Sequence, residues 1–332
     1  MKAALFRKKN SPLHLEEVSK PVPLKGQVLI KLHAAALNHR DLWITKEQET
    51  PSSSGIIMGS DGSGVIEGVA EDVDESCIGQ EVVINPSMGW GKNPSVQSDA
   101  FKFLGFPDAG TFGEYIAVPK KYVIEKPAHL SFQEAAAVPL SGLTAYRALF
   151  SKARLRPGEK VLITGVGGGA ALWALKFAVA FHAKVFITSG SDEKLNKALA
   201  LGATAGFNYN EKNWLEKIKK EAGAFDIIID SAGGEQFPHL LDLAFPGGKI
   251  VIFGRTAGNI PSLSPRMLFW KQLSIFGTSM GTEDEFLSML DFIHKHRITP
   301  VIDKIFPLED VNEAFKRMEV GTQFGKIVLQ IS

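Results

Sequence analysis

The rhythm of apolar and polar positions changes near residue 130. Before that point the apolar runs are short and bounded by glycine and polar residues. GQVLIKLHAAAL (26–37), GSGVIEGVA (62–70) and GQEVVIN (79–85) each read as a strand. Many-turned β segments of this kind predict a compact, barrel-like domain. Residues 86–111 are rich in Pro, Gly and Ser and predict a long surface excursion. GEYIAVP (113–119) restarts strand structure, and Pro119 ends it because proline cannot donate to a ladder.

Beyond residue 130 the pattern becomes βα alternation. Ser131 and Glu134 form a capping box that opens a helix. KVLITG (160–165) is followed by a helix over about 168–182, then KVFITS (184–189) and a helix over about 192–201. FDIIID (225–230), KIVIFG (249–254) and LSIFGT (273–278) are uninterrupted apolar strands. Such strands belong to a parallel sheet covered on both faces. EDEFLSMLDFIHKH is a last amphipathic helix. After about 298 short strand patterns return, VIDKIFP and GKIVLQIS, so the tail is expected to rejoin the N-terminal domain.

Length and composition narrow the class. The 332 residues are enough for two domains. Lys plus Arg number 37 and Asp plus Glu 36, a net charge of +1, which offers no electrostatic case for nucleic acid or an acidic membrane surface. Cys77 is the only cysteine, which excludes an intramolecular disulfide and any multi-cysteine zinc site. The N-terminus lacks the apolar core of a secretory signal. The most apolar stretch, Ala170–Phe181, is interrupted by Lys176 and falls short of the about 20 residues a membrane span needs. A cytoplasmic protein is expected.

The loop Gly165-Val166-Gly167-Gly168-Gly169-Ala170 follows a strand and opens a helix. It fits the G-x-G-x-x-G/A dinucleotide fingerprint with alanine in the third place. The first glycine permits the tight turn, the second lets the backbone approach a pyrophosphate, and the small third residue lets helix and strand pack closely. The helix N-terminus then offers free N–H groups to the anion. A binder of NAD usually carries Asp or Glu at the end of the next strand to hold the ribose hydroxyls. Here Ser189 stands in that place, with Ser191 and Lys194 beside it, which points to NADP(H). Asp192 and Glu193 are expected in the first turn of the following helix. Gly254 and Arg255 lie at the carboxyl edge of the sheet, where ligands bind, and Arg255 is a further candidate for the cofactor phosphate.

The order of motifs (a β domain, GTFGEYIAVP, AAAVPLSGLTAYRAL, the glycine loop, a terminal GKIVL) resembles the medium-chain dehydrogenase/reductase superfamily along essentially the whole chain. The resemblance implies an α/β protein. A discontinuous GroES-like β-barrel catalytic domain would comprise residues 1–123 and 298–332. A Rossmann doubly wound parallel sheet would occupy 124–297. It also implies dimers in many members through sheet edges, here LSIFGT, and a contact from Thr144 to the nicotinamide ribose or phosphate. The departures are informative. Zinc members place a cysteine where this chain has Asn38, and Gly-His-Glu where it has Gly59-Ser60-Asp61; the lobe that holds a structural zinc corresponds to 86–111, which has no cysteine. Asn and Ser are poor zinc ligands. No metal is therefore expected, and the resemblance is closest to zinc-independent NADPH reductases of quinones and enones.

Quinones and α,β-unsaturated carbonyls delocalise the charge that arrives with a hydride, so they need less electrophilic help than a simple carbonyl. Asn38 is the candidate hydrogen-bond donor near the nicotinamide or substrate oxygen, with Asp41 orienting nearby groups. Asn38 is also a good helix N-cap, and that plainer role stands beside the first. Reduction of a plain aldehyde or ketone, and cofactor binding without turnover, are the rival readings.

Overall fold

The computed structural model describes residues 1–49 and 54–332. It divides into two compact units, Met1–Ser141 with Gly281–Ser332, and Gly142–Met280. The fold is the expected GroES-like barrel with a Rossmann-type sheet.

The first unit is organised around the ten-residue strand Gln27–Ala36. On one side it pairs with Asp61–Val69 along most of its length. On the other its first half pairs with Tyr115–Pro119 and its last residues pair with the C-terminal strand Lys326–Gln330. Glu81–Ile84 and Val123–Glu125 extend the sheet at one end and Ile302–Pro307 at the other. The tail thus rejoins the N-terminal domain, as its pattern predicts. Where the ladder between Gln27–Ala36 and Asp61–Val69 slips register, a Cβ on Gly64 would lie 2.0 Å from the Lys31 carbonyl oxygen. Only glycine lets the two backbones meet there. One apolar cluster inside the barrel joins Val28, Ile30 and Leu32 to Ile66, Val82, Ile84, Ile116 and Val118. A second fills the other side, from Ala35 and Leu37 to Phe306, Phe315 and Leu329.

The unit boundaries fall at 141/142 and 280/281, not at 123/124 and 297/298. Two elements move the borders. The short helix Phe132–Ala136, opened by the Ser131–Glu134 capping box, packs Ala136 and Ala137 on Ala34, Ala36 and Val328 of the barrel. The helix Glu283–Lys295 begins beside Gly281, whose carbonyl accepts from Ser87 Oγ (2.5 Å), and Glu283 pairs with Lys121. Amphipathic periodicity reports a helix but not which sheet its apolar face covers, so the borders of the two units are not set by the pattern alone.

The second unit is a six-stranded parallel sheet. Its spatial order is Ala205–Asn208, Lys184–Ser189, Lys160–Ile163, Phe225–Asp230, Ala244–Ile252 and Ser274–Gly277. Chain order therefore reverses between Lys160–Ile163 and Phe225–Asp230, the switch point at which open α/β sheets bind ligands. Val161, Leu162, Ile163, Ile227, Ile228 and Ile229 are all buried. Each contributes about 1.5–3 kcal/mol by burial, and together they fix the strands that carry the glycine loop.

Candidate functional site

The nucleotide loop begins where Lys160–Ile163 ends. Gly165 adopts φ +62° and Gly167 φ +142°, both outside the range that residues with a Cβ readily occupy. The loop is stapled to the second strand: Val166 N–H donates to the Thr188 carbonyl (2.8 Å) and Gly165 N–H to Thr188 Oγ1 (3.3 Å). Gly168 is the N-cap of the helix Gly169–Ala180 and has no side chain with which to close it. The first-turn amides of that twelve-residue helix remain available to an anion. Gly165, Gly167, Gly168, Gly169 and Ala170 therefore form a tight backbone loop at an uncapped helix N-terminus, a geometry that suits an anion such as a pyrophosphate.

Beside the loop stand the end of the strand Lys184–Ser189 and the turn into the next helix. Ser189 is buried at the strand end and its Oγ accepts from Ser191 N–H (3.3 Å). Ser191 is the N-cap of the helix Asp192–Ala200 and accepts from Lys194 N–H (3.4 Å). The two nearest carboxylates are engaged elsewhere: Asp192 accepts from Asn208 Nδ2 (2.7 Å) and Glu193 pairs with Lys197 (2.6 Å). Lys194 extends across the glycine loop, its Cδ 2.9 Å from where a Gly167 Cβ would stand. Two neighbours, Tyr209 and Asn210, are not apparent from the sequence. A Cβ on Gly190 would meet the Tyr209 hydroxyl and the Asn210 amide, each at 3.0 Å. Their only signal is the parallel register of the next strand, which sets Asn208 opposite Ser189.

A buried bridge spans the switch point. Thr164, the residue before the loop, donates from Oγ1 to Asp230 Oδ1 (2.6 Å), and Gly233 N–H donates to Asp230 Oδ2 (2.8 Å). Burial pushes the Asp230 carboxyl upward, while these bonds pull it back. Gly254 lies against the same turn, where a Cβ would sit 2.2 Å from the Ser231 carbonyl oxygen. Arg255 beside it is exposed at the carboxyl end of Ala244–Ile252. Thr144 is buried, with its hydroxyl 4.0 Å from Met280 Sδ.

The barrel unit carries the other candidates. Asn38 lies two residues past the strand Gln27–Ala36 and is the N-cap of the helix His39–Glu47, in an extended conformation (φ −128°, ψ 154°). Asp41 reaches back to the Asn38 N–H (2.8 Å), so Asp41 supplies the side-chain cap. The Asn38 side chain is turned elsewhere: Nδ2 donates to Asp61 Oδ2 (2.9 Å), and Oδ1 accepts from Lys326 Nζ (2.6 Å). Lys326 also donates to Asp61 Oδ2 (3.0 Å), and Asp61 Oδ1 accepts from Leu140 N–H (2.9 Å). Asn38 and Asp41 are thus brought together, within a cluster completed by Asp61 and Lys326. Asp41 is wholly buried and its Oδ1 has no partner among the described residues. Burial pushes its carboxyl up to about 6, against the lowering effects of the Asn38 N–H, Arg40 and Lys326.

These residues do not fit a metal ion. Ser60 Oγ donates to the Leu104 carbonyl (2.7 Å) and accepts from Arg40 (3.2 Å), whose guanidinium lies over the Phe103 ring. Asn38 and Asp61 are already bonded to an ammonium. Among the described residues no group of three or more His, Cys, Asp or Glu is placed to hold a metal ion. The Lys326–Asp61 pair is almost fully buried; removing one partner of such a pair costs about 3–5 kcal/mol, because the other charge is stranded. No described helix is long and apolar enough to cross a membrane.

Comparison with known proteins agrees with this layout. Residues 24–128 match the alcohol dehydrogenase GroES-like domain and residues 165–295 the zinc-binding dehydrogenase domain. The zinc-type alcohol dehydrogenase-like protein YogA of Leptosphaeria maculans is 35% identical over 340 residues, covering 96% of this chain and 95% of that protein. Human quinone oxidoreductase is 30% identical over 325 residues, covering 94% and 92%. A crystal structure of an NAD-dependent alcohol dehydrogenase superposes with a TM-score of 0.94 at 34% identity over the whole of both chains. With both domains matched in order and full-length relatives on either side, the chain is an oxidoreductase of the medium-chain dehydrogenase/reductase superfamily.

Proposed function

We propose that this protein is a zinc-independent, NADPH-dependent reductase of quinones or α,β-unsaturated carbonyls. The observation that carries the reading is the buried Asn38–Asp61–Lys326 cluster. It spends the polar groups at positions 38 and 61 on a lysine ammonium and leaves one amide proton of Asn38 as a donor. A single neutral donor suits an acceptor whose conjugation already spreads the charge; a simple carbonyl would ask for a stronger electrophile.

The glycine cradle and the helix Gly169–Ala180 hold the pyrophosphate of the cofactor. Tyr209 and Asn210 stand beside Gly190 and Lys194 beside Gly167, around the place assigned to a 2′-phosphate, and the strand end itself carries Ser189 in place of a carboxylate. Bound reduced nicotinamide supplies the hydride. Asn38 then donates a hydrogen bond to the acceptor oxygen as the displaced π electrons collect on it, and water protonates the enolate or hydroquinone oxygen. Thr144 is assigned to the nicotinamide ribose or phosphate, and Arg255 to the cofactor phosphate.

We further propose a homodimer formed through the edge strand Ser274–Gly277. Its outer side pairs with no other strand of the described sheet, and the neighbouring helix Pro265–Lys271 exposes Phe269 (61%) and Trp270 (77%). A solvated aromatic pair beside an open sheet edge is a surface that a second copy would cover.

The relatives named NAD-dependent alcohol dehydrogenase favour a second reading, an alcohol or aldehyde enzyme using NAD(H). Kinetics with both nucleotides separate the two. NADPH is expected to exceed NADH in kcat/KM by at least about tenfold, one charge-assisted contact to the 2′-phosphate being worth about 1.5–3 kcal/mol. Enones or quinones should be reduced and simple aldehydes ignored. Preference for NADH with turnover of an aldehyde would replace this reading with the second.

A further inference from the structure

Lys326 is an unusual group to bury, with a side chain only 4% exposed. It lies near the end of the chain, 288 residues from the Asn38 carboxamide it touches. The C-terminal strand delivers it there, because Val328 pairs with Ala36, two residues before Asn38.

The chemistry of the three groups fixes their orientation. An ammonium only donates, so the atom 2.6 Å from Lys326 Nζ must be the amide oxygen of Asn38. An ionised carboxylate only accepts, so the atom 2.9 Å from Asp61 Oδ2 must be the amide nitrogen. A flipped amide would set NH2 against the ammonium and C=O against the carboxylate. Charge on both sides therefore allows one rotamer. One Nδ2 proton goes to Asp61, and the other has no partner among the described residues. A cation at the carbonyl oxygen also polarises the amide and makes that remaining N–H a stronger donor.

We propose that Lys326 is a positioning residue for the reduction, which with Asp61 locks the Asn38 carboxamide so that its second Nδ2 proton faces the substrate oxygen. The inference rests on the reading in which Asn38 is the donor. The hydride adds to a carbon of the acceptor, the π pair moves onto the oxygen, the oxygen accepts the Asn38 hydrogen bond, and solvent supplies the proton. In this role Lys326 acts through the amide, to which its ammonium is bonded.

The test is a cycle between the paired substitution Lys326→Met/Asp61→Asn, which removes both charges and strands neither, and Asn38→Ala. In the wild-type background the paired substitution should lower kcat for an enone about 10–100-fold, with the enone KM and the NADPH Kd unchanged within about twofold. In the Asn38→Ala background it should lower kcat by less than about twofold, because the group it positions is gone. In the Asn-15N-labelled protein the Asn38 side-chain resonance, identified by its loss in Asn38→Ala, should be protected from exchange and lose that protection in the paired variant. Multiplying kcat losses, or an amide equally protected with and without the charges, overturns the proposal. If the wild-type protein reduces no enone or quinone, the proposed function fails and takes the catalytic half of this inference with it; the amide spectrum still decides whether Lys326 fixes Asn38.

Discussion

The nucleotide loop and the Asn38 cluster are built in opposite ways. The loop is contiguous: Gly165 to Ala170, held by Thr188 on the adjacent strand. Its function lies in backbone geometry, in positive φ angles and unclosed helix amides, and its side chains matter mainly by being absent. The cluster is assembled from residues 38, 61 and 326 and lies in side-chain charge that barrel closure brings together. Backbone geometry tolerates little substitution but is robust to pH. A buried charge cluster is sensitive to every change that leaves one partner unpaired.

Substitutions that touch one region and spare the other sharpen this contrast. The largest effect is expected from Asn38→Ala, which should reduce kcat about 100-fold in steady-state turnover while NADPH affinity stays within about twofold; Lys326 and Asp61 still neutralise each other, so the fold should survive. Gly167→Ala should do the reverse. It forces a Cβ into φ +142° and to 2.9 Å from Lys194 Cδ, and a backbone penalty of about 1–3 kcal/mol translates to an about 5–150-fold weaker NADPH Kd in a fluorescence titration. Lys194→Ala should weaken NADPH about tenfold and leave NADH nearly unchanged, which removes the preference between them. Equal losses for both nucleotides would assign Lys194 to the pyrophosphate.

The last effect concerns pH and is read in stability, with no change expected in turnover at neutral pH. The Asp41 carboxyl sits at about 6 in the fold against about 3.9 in an unfolded chain, so the native state binds the proton more tightly. Ionising it therefore costs stability as the pH rises from about 4, and the cost is complete above about 6. Asp41→Asn keeps an acceptor for the Asn38 N–H but cannot ionise. It should match the wild type near pH 4 and exceed it by about 3 kcal/mol near pH 8 in denaturant melts. A difference that does not vary with pH would mean that Asp41 is not held in this way.

The same contrast explains what could be read from the sequence. The glycine loop, the strands around it and the Ser131–Glu134 cap were legible because their signals lie within a few residues of one another. Ser189 and Lys194 were legible by counting from the loop. Tyr209 and Asn210 were not, because only the register of a neighbouring strand brings them to Gly190. Asn38 was legible as a departure from a family pattern, with capping as the alternative; in the structure it holds the N-cap place while its side chain is spent elsewhere. Lys326 gives no local sign of its partners, since a lysine at the head of a short terminal strand carries no signal of what it meets. Its meaning depends on the pairing of Val328 with Ala36, a contact between the two ends of the chain. The helix Glu283–Lys295 is legible as amphipathic, but its grouping with the barrel unit is not, for the same reason.

Reduction of a conjugated acceptor without a metal is the central claim, and one measurement tests it most directly. NADPH oxidation with an enone or quinone would be followed using protein dialysed against a strong chelator, with its metal content determined by mass spectrometry, before and after Zn2+ is added back. Full turnover is predicted at far below one metal per chain, with no gain from Zn2+. Activity that disappears with the metal and returns with Zn2+ would contradict the claim.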